Sequence, residues 1–292
     1  MSFPLLPVAA LFGSLVSLCV GTSLAKGLFP VIGAEGTTTL RIVLSMLMLM
    51  LLWRPWRRRW QLADLGPLAL YGVTLGVMNL LFYSAIRTIP FGLAIAIEFS
   101  GPLAVALWTS RRGLDLLWVA LAVMGLALIL PLPGLDQAHT LDPQGIALAF
   151  AAGLCWALYI VFGQRVALRY GPLATPMGMA MAALVVTPLG LAQAGAALFD
   201  SRWLLIGLGV ALLSSAIPYT LEMFALRHLP QKTFSILLSL EPAVGALAGQ
   251  WMLAETLRPS QWLAIGFIMA ASMGSAWTAG RDRASQSATD AG

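Results

Sequence analysis

Charged residues are scarce in this sequence, and so are cysteine and histidine. Asp, Glu, Lys and Arg make up 10% of the 292 residues, whereas soluble domains carry about 25%. With 59% hydrophobic residues and a mean hydropathy of +0.86, the chain has more apolar surface than a soluble domain of this length can bury. The composition therefore excludes a soluble globular protein and indicates an integral membrane protein.

Motifs for nucleotide hydrolysis and covalent catalysis are also missing. The sequence contains no Walker loop, no HExxH motif and no GxSxG motif, so neither ATP hydrolysis nor a known hydrolytic chemistry is encoded. Cys19 and Cys155 both lie inside apolar runs and offer neither disulfide spacing nor metal-ligand spacing. We therefore expect no enzymatic activity, no cofactor and no metal site.

Apolar runs separated by proline, glycine and charged residues predict an all-α protein with ten transmembrane helices. Each run has roughly the 20 residues that a spanning helix needs. The predicted spans are 7–28, 36–53, 67–86, 91–110, 114–132, 144–165, 173–193, 203–225, 232–252 and 260–279. The polar residues 281–292 are rich in small side chains, and we expect a disordered cytoplasmic tail there.

The positions of arginine and lysine orient these spans. With the N-terminus in the cytoplasm, twelve basic residues fall on the inner side and three on the outer side, as the positive-inside rule requires. The inner residues are Arg54, Arg57, Arg58, Arg59, Arg111, Arg112, Arg165, Arg169, Arg227, Lys232, Arg281 and Arg283, and the outer ones are Arg87, Arg202 and Arg258. The net charge of +5 therefore indicates membrane orientation, and we expect no nucleic-acid partner.

An internal repeat joins the two halves of the chain. When residues 81–107 are placed over 221–247 without gaps, seven of 27 positions are identical, including one arginine and two prolines. The repeat predicts a first five-helix half at 1–135 and a second at 136–280. Because five is odd, the second half enters the membrane from the opposite side, which is the inverted-topology design of many secondary transporters.

Glu98 is the most informative polar residue, because it lies near the middle of the apolar run 91–110. A charge at the bilayer centre costs at least about 2.5–3.5 kcal/mol, so such a residue usually faces a cavity or a partner. Pro102 has no N–H for the carbonyl group of residue 98 and therefore predicts a loosened helix there. We expect Glu98 to bind a proton or an ammonium group; a structural acid that ties two helices together is the alternative.

Glu241 and Pro242 repeat this combination in the second half of the chain. In the repeat alignment Glu241 lies three residues beyond the equivalent of Glu98, which is almost one helical turn. The two acids should therefore occupy similar faces of equivalent helices, and one site can hold an acid from each half. A packing role for Glu241 at the proline kink is equally compatible with the sequence.

Other polar and aromatic residues inside the runs are weaker candidates. Glu222 is either a gate residue or an interfacial acid, and Lys26 and Arg41 can pair with acids or with a substrate carboxylate. Hydrogen bonds or an aromatic wall of a cavity are the expected roles of the remaining candidates, with ordinary helix packing as the alternative. These candidates are Asn79, Tyr83, Trp156, Tyr159 and Tyr219.

Three stretches of the sequence resemble a known family. They are GTSLAKGLFPVIGAEGTTTLR (21–41), YGVTLGVMNLLFYSAIRTIPFGLAIAIEFSGPLAVAL (71–107) and IPYTLEMFALRHLPQKTFSILLSLEPAVGALAG (217–249). They are similar to the EamA branch of the drug/metabolite transporter superfamily and, within it, to bacterial inner-membrane exporters of threonine and homoserine. The resemblance implies ten helices in two inverted halves, a central substrate cavity, and export of small metabolites by exchange with protons.

The leading hypothesis is therefore a proton-coupled exporter of threonine, homoserine and related amino acids in the bacterial inner membrane. An exporter of drugs, nucleobases or other metabolites is the second hypothesis, because this superfamily transports many substrates. A membrane receptor or scaffold without transport activity is the third. The expected partners are the amino acid, protons and the lipid bilayer, and the residues carry no signal for an oligomeric state.

The orientation of the spans gives the first testable prediction. Reporter fusions placed after Gly134 should be periplasmic, and fusions at the C-terminus should be cytoplasmic, because the arginine-rich loops otherwise face the wrong side. Paired alkaline phosphatase and green fluorescent protein fusions measure both positions. A cytoplasmic signal at position 134 would contradict the ten-helix arrangement.

Overall fold

The structure is a computed structural model that describes residues 5–108, 113–129, 141–229 and 237–289. Within these ranges the regular structure is helical, without a β-strand. The α-helices are α1 (Leu5–Lys26), α2 (Phe29–Trp53), α3 (Leu62–Ala85), α4 (Phe91–Glu98), α5 (Ser100–Trp108), α6 (Gly113–Ile129), α7 (Pro143–Tyr170), α8 (Ala174–Ala194), α9 (Ser201–Ala211), α10 (Ile217–His228), α11 (Glu241–Met252) and α12 (Pro259–Thr289).

Five helical segments of the described residues are long and apolar enough to cross a membrane. They are Leu5–Lys26, Phe29–Trp53, Leu62–Ala85, Pro143–Phe199 and Ser201–Glu222, and the fourth contains both α7 and α8. Shorter apolar helices cover Phe91–Val105 and Leu116–Leu128. The prediction of an all-α membrane protein is therefore confirmed. The number of ten spans stays a prediction. The predicted boundary between the two five-helix halves, at 135/136, lies outside the described residues.

The helical segment that begins at Phe91 is interrupted at Phe99, next to Glu98, where the sequence predicts a loosened helix. Helix α4 ends at Glu98, and α5 begins at Ser100. Pro102 explains the interruption, since it has no N–H to donate to the carbonyl group of Glu98 and its ring crowds that carbonyl. The acid therefore lies at the end of a short helix rather than within a regular one.

A second interruption lies between α9 and α10, within the predicted span 203–225. Residues Leu212–Ala216 form a π-helical turn there, and Pro218 follows in the first turn of α10. Pro218 has no N–H for the carbonyl group of Ser214, which is four residues earlier. π-Helical turns often occur at functional sites, because they change which backbone carbonyl and N–H groups stay outside the helical hydrogen bonds.

The start of α2 also differs from the sequence prediction. This helix begins at Phe29 rather than at residue 36. Pro30 is compatible with the first turn, where its missing N–H costs nothing. Gly33 follows with φ of 70°, a value that glycine adopts without the clash of a Cβ atom. The glycine therefore bends the helical segment. The helix starts earlier than the positions of proline, glycine and charged residues indicate.

The disordered tail predicted at 281–292 was also wrong for most of its length. Helix α12 continues to Thr289, and residues 290–292 lie outside the described part of the chain. The segment from Arg281 contains alanine, arginine and glutamine, which have good helix propensity. Extending an existing helix also avoids the cost of nucleation, so a polar composition alone does not end α12.

Helices from the first and second parts of the chain pack in matched pairs. Helix α2 packs on α8, α4 packs on α11, and α6 packs on α12. Helix α3 contacts α7 and α8, while α1 and α2 contact the segment from α9 to α10. Each of these contacts has a counterpart when the two predicted halves are exchanged, which is the pattern that an inverted repeat requires.

Glycine permits close contact between helices at two crossings. A Cβ atom added to Gly92 in α4 lies 2.4 Å from the Cα atom of Ala246 in α11. A Cβ atom added to Gly101 in α5 lies 1.8 Å from the carbonyl oxygen of Gly153 in α7. Backbones therefore touch directly at these two crossings, as small residues allow in membrane helices.

The contact between α5 and α7 gives the second prediction. Gly101→Ala should lower the stability of the protein by about 1–3 kcal/mol or more, because overpacking forces the two backbones apart. Gly266→Ala in α12 is a matched control, since an added Cβ atom there has no neighbour within 4 Å among the described residues. Thermal unfolding of both variants in detergent measures the difference, and equal midpoints would contradict the close contact.

Candidate functional site

Arg41 is a buried cation that lies in α2 between three hydrogen-bond acceptors. Its Nη1 atom donates to Oδ1 of Asn79 at 2.6 Å, and its Nε atom donates to the hydroxyl of Ser215 at 3.0 Å. Its Nη2 atom donates to the carbonyl oxygen of Ser214 at 2.9 Å, which is the carbonyl that Pro218 leaves without a donor. The guanidinium group is therefore held between α2, α3 and the turn before α10.

Asn79 and Tyr83 both contact this cation from α3. They lie four residues apart in α3, so they share a face of the helix. The Asn79 amide donates to the carbonyl oxygen of Leu75 at 2.8 Å, which leaves its oxygen turned to Arg41. The Arg41 guanidinium carbon lies 5.2 Å from the centroid of the Tyr83 ring, within the range of a cation–π interaction.

The hydroxyl group of Tyr83 has no hydrogen-bond partner among the described residues, although the side chain is fully buried. A buried polar atom without a partner is rare in proteins and costs about 1–3 kcal/mol. Burial of this kind is compatible with a hydroxyl group that bonds to a water molecule or to a bound ligand.

Glu98 and Glu241 are the two buried acids of the site. Glu98 is the last residue of α4 and Glu241 is the first residue of α11, and their exposed fractions are 7% and 6%. The carboxyl group of Glu98 lies within electrostatic range of both Glu241 and Arg41. Neither carboxyl group has a hydrogen-bond or salt-bridge partner in the described part of the chain. The structure therefore brings these two predicted residues together with the buried cation.

Glu222 and Tyr219 extend this group of residues. The hydroxyl of Ser14 donates to Oε1 of Glu222 at 3.2 Å and to the carbonyl oxygen of Pro218 at 3.1 Å. Glu222 lies within electrostatic range of Glu241, and Tyr219 lies within range of Arg41 and Glu222. The acid in α10 is therefore electrostatically connected to the same site.

Tyr159 stacks on Tyr71, a residue that was not among the sequence candidates. The ring centroids are 5.1 Å apart with an interplanar angle of 27°, and the two hydroxyl oxygens are 3.3 Å apart. Tyr71 precedes Asn79 by eight residues and Tyr83 by twelve. A separation of eight residues leaves Tyr71 and Asn79 about 80° apart around α3, and this partial sharing of one helix face was the signal that could have identified Tyr71.

Trp156 lies next to the interruption between α4 and α5. Its ring packs edge-to-face on Phe99, with centroids 5.4 Å apart and an interplanar angle of 88°. Phe99 directly follows Glu98, and the carbonyl oxygen of Glu98 lies against Gly153 in α7. The tryptophan therefore packs beside the acid on a helix that contacts both α4 and α5.

Lys26 does not join this buried group. Its Nζ atom forms a salt bridge with Oε1 of Glu255, in the segment between α11 and α12. Oε2 of Glu255 accepts the backbone N–H of Phe91 at 2.7 Å, at the start of α4. Sequence reasoning missed Glu255, because it lies outside the apolar runs and 229 residues from Lys26. The salt bridge pairs the charge of Lys26 with an acid of the protein, which was the alternative to a contact with a substrate carboxylate.

The site offers two poles of opposite charge inside an apolar helical bundle. Arg41 supplies one positive charge, and Glu98 and Glu241 supply two carboxyl groups within its surroundings. Buried charges are stable only when they are paired or neutralised. One arginine does not balance two carboxylates, so a proton or a cationic ligand is needed. The arrangement therefore suits a small molecule that carries both an anionic and a cationic group.

Comparisons with known proteins identify transporters that are similar to this chain. The model of the EamA-like transporter family matches residues 143–277. The threonine/homoserine exporter RhtA of Escherichia coli (strain K12) is 51% identical over 273 residues, which cover 94% of this chain and 92% of the relative. RhtA of Salmonella typhimurium (strain SL1344) is 50% identical over 277 residues, which cover 95% of this chain and 93% of the relative.

Two further similarities are more distant. The uncharacterized inner membrane transporter YedA of Escherichia coli (strain K12) is 29% identical over 190 residues, which cover 63% of this chain and 61% of the relative. A solved crystal structure of another protein superposes with a TM-score of 0.57 at 18% identity, over 94% of this chain and 98% of the other. At this identity the superposition shows a shared fold alone.

Proposed function

Because this chain belongs to the EamA-like transporter family, we propose that it exports threonine, homoserine and related small amino acids in exchange for protons. The cargo follows from two relatives that are named threonine/homoserine exporters and are about half identical to this chain. The proposed location is the bacterial inner membrane with both termini in the cytoplasm, which the distribution of arginine and lysine supports.

The observation that supports this cargo best is the burial of Arg41, Glu98 and Glu241 in one site, where Glu98 lies within electrostatic range of the other two. An amino acid carries a carboxylate and an ammonium group at neutral pH. Arg41 already presents its guanidinium group to several acceptors, and a substrate carboxylate is a further acceptor of suitable charge. The two carboxyl groups without a partner among the described residues provide the opposite pole for the ammonium group. Sites of this kind orient a small ligand with few polar contacts.

Tyr83 supports a preference for amino acids with a hydroxyl group. Threonine and homoserine both carry a side-chain hydroxyl, and the Tyr83 hydroxyl is a buried donor and acceptor without a partner among the described residues. Its ring contacts Arg41, so a substrate carboxylate on Arg41 brings the substrate side chain close to Tyr83. A hydrogen bond between the two hydroxyl groups satisfies both and favours the hydroxylated amino acids over their deoxy analogues.

Glu98 is proposed to carry the exchange itself. A carboxyl group that binds either a proton or the substrate ammonium group makes the two ligands compete for one site, which is what exchange requires. Each proton that moves inward gains about 2.3 kcal/mol per 100 mV of membrane potential, which drives the amino acid outward. Glu241 lies within electrostatic range of Glu98 and is the next candidate for this role.

The proposed transport cycle uses two halves, 1–135 and 136–280, that exchange conformations. The matched helix pairs, α2 with α8, α4 with α11 and α6 with α12, support this arrangement. Two similar halves in opposite orientations open a central site first to one side and then to the other. Interruptions in α4–α5 and α9–α10 lie beside the proposed site, as in transporters whose sites are built from broken helices.

The cargo is the third prediction. Proteoliposomes loaded with radiolabelled homoserine or threonine and placed in a more acidic buffer should release both amino acids faster than protein-free vesicles. The deoxy analogue of both, 2-aminobutyrate, should be released more slowly by the wild type. Tyr83→Phe should reduce this preference by about fivefold, the effect of one hydrogen bond.

The same vesicles distinguish the competing functions. Release of neither amino acid, together with release of a nucleobase or a drug, would replace the proposed cargo with another metabolite. Release of no solute under any gradient would favour a receptor or scaffold. If Tyr83→Phe kept the wild-type preference for hydroxylated amino acids over 2-aminobutyrate, Tyr83 would not select the substrate. The proposed cargo would be unaffected by this result.

Coupling to protons is the fourth prediction. Glu98→Gln keeps the shape of the side chain but cannot bind and release a proton, so it should abolish proton-driven export while the protein remains folded and inserted. Glu98→Asp should retain partial export. The measurement is the proton release that substrate causes in an unbuffered solution of detergent-purified protein, with a pH indicator as the readout.

A matched control separates this effect from the loss of any acid. Asp200→Asn also converts an acid to its amide, but Asp200 is exposed and caps α9, a role that asparagine fills equally well. This variant should release protons and export substrate like the wild type. Equal proton release from wild type and Glu98→Gln would assign the coupling to Glu241 or Glu222 instead.

A further inference from the structure

A basic pocket lies at the end of α2, away from the proposed transport site. Its volume is about 580 Å³, and the side chains of Arg54, Arg57 and Arg58 line it together with Leu51, Leu52 and Trp53. These arginines belong to the cluster that predicts a cytoplasmic loop. The pocket therefore combines a concentration of positive charge with an apolar border at the end of a candidate membrane span.

The positive charges of Arg54 and Arg57 are not neutralised by the described part of the protein, whereas Arg58 lies within electrostatic range of Asp64. Neither Arg54 nor Arg57 has an acidic partner within salt-bridge distance among the described residues. The neighbouring acid Asp64 is already engaged, because it accepts from Arg169 at 2.8 Å and from the hydroxyl of Tyr170 at 2.9 Å. Two guanidinium groups are thus left to bind an external anion, which arginine recognises well when it carries phosphate.

The backbone and the aromatic residues hold this cluster in place. Arg54 has φ of 49° and ψ of 55°, a left-handed conformation that glycine adopts more easily than arginine. The Arg58 guanidinium carbon lies 5.1 Å from the ring of Trp60 and 5.2 Å from the ring of Tyr170. Stacking on two rings orients this guanidinium group before any ligand arrives.

Leu173 adds to the apolar border of this pocket. It is the last residue of the 3-10 turn Gly171–Leu173, which leads directly into α8.

We propose that this pocket binds the phosphate of an anionic phospholipid from the inner leaflet. The apolar border favours a lipid over a free anion, because Leu51 and Leu52 are 69% and 62% exposed and provide a surface for the acyl chains. Tryptophan, here Trp53, is typical of the level of the lipid headgroups. Basic pockets between helices on the cytoplasmic side of a membrane bind such headgroups.

Lipid binding to the purified full chain tests the proposal. Native mass spectrometry in detergent should show that short-chain phosphatidylglycerol binds more tightly than phosphatidylcholine of the same chain length. Arg54→Gln/Arg57→Gln should weaken the binding of phosphatidylglycerol by roughly 30-fold. Arg54→Lys/Arg57→Lys keeps both charges and should retain most of the affinity. Salt should weaken the binding in the wild type, because the pocket is exposed.

The matched control is Arg202→Gln/Arg258→Gln, which removes two exposed arginines outside the pocket. It should bind phosphatidylglycerol like the wild type, and thermal unfolding without added lipid should give similar midpoints for all variants. Equal binding of phosphatidylglycerol by the wild type and Arg54→Gln/Arg57→Gln would overturn the proposal. Displacement of the lipid by an equal concentration of inorganic phosphate would overturn it too, because the pocket would then be a site for free anions.

Discussion

The buried guanidinium group of Arg41 is the constraint on which the centre of the molecule depends. An unpaired charge at the middle of a membrane costs at least about 2.5–3.5 kcal/mol, so the fold has to supply polar partners there. Asn79, Ser214 and Ser215 provide them from α3 and from the turn before α10. Satisfying one cation thus determines how α2, α3 and α10 approach one another.

Two prolines create the irregular backbone around this cation. Pro218 has no N–H for the carbonyl group of Ser214, and that carbonyl accepts from Arg41. Pro102 has no N–H for the carbonyl group of Glu98, and that carbonyl lies against Gly153. Irregular backbone is tolerated within a membrane only where protein or a water-filled cavity surrounds it. Both interruptions therefore have to be covered by other helices, as α2 and α7 do here.

The sequence was sufficient for the features that depend on composition or on local backbone chemistry. Scarce charge and long apolar runs predicted the helical membrane fold, and Pro102 beside Glu98 predicted a weakened helix at that acid. The continuation of α12 past residue 280 was missed, because polarity was taken as disorder although alanine and arginine favour a helix. In each case local chemistry decided the outcome, and it was wrongly weighted at the start of α2 and in the tail.

Pairings between distant residues did not follow from the sequence. Lys26 was considered for a substrate carboxylate, yet it contacts Glu255, and only the packing of α1 on α11 brings these residues together. The same holds for Ser14 and Glu222, which lie 208 residues apart. Apolar periodicity reports which segments are helices, but it contains no information on which polar groups meet in the folded bundle.

The distances along the chain between Arg41 and its partners have a consequence for biosynthesis. Asn79 follows Arg41 by 38 residues, but Ser214 follows it by 173 residues. At synthesis rates of roughly 5–20 residues per second, Ser214 leaves the ribosome about 9–35 s after Arg41. During that interval the insertion machinery receives a helix whose arginine has only a single amide to accept its hydrogen bonds. Entry of α2 into the lipid phase therefore depends on delayed release from the translocon or on early association with α3.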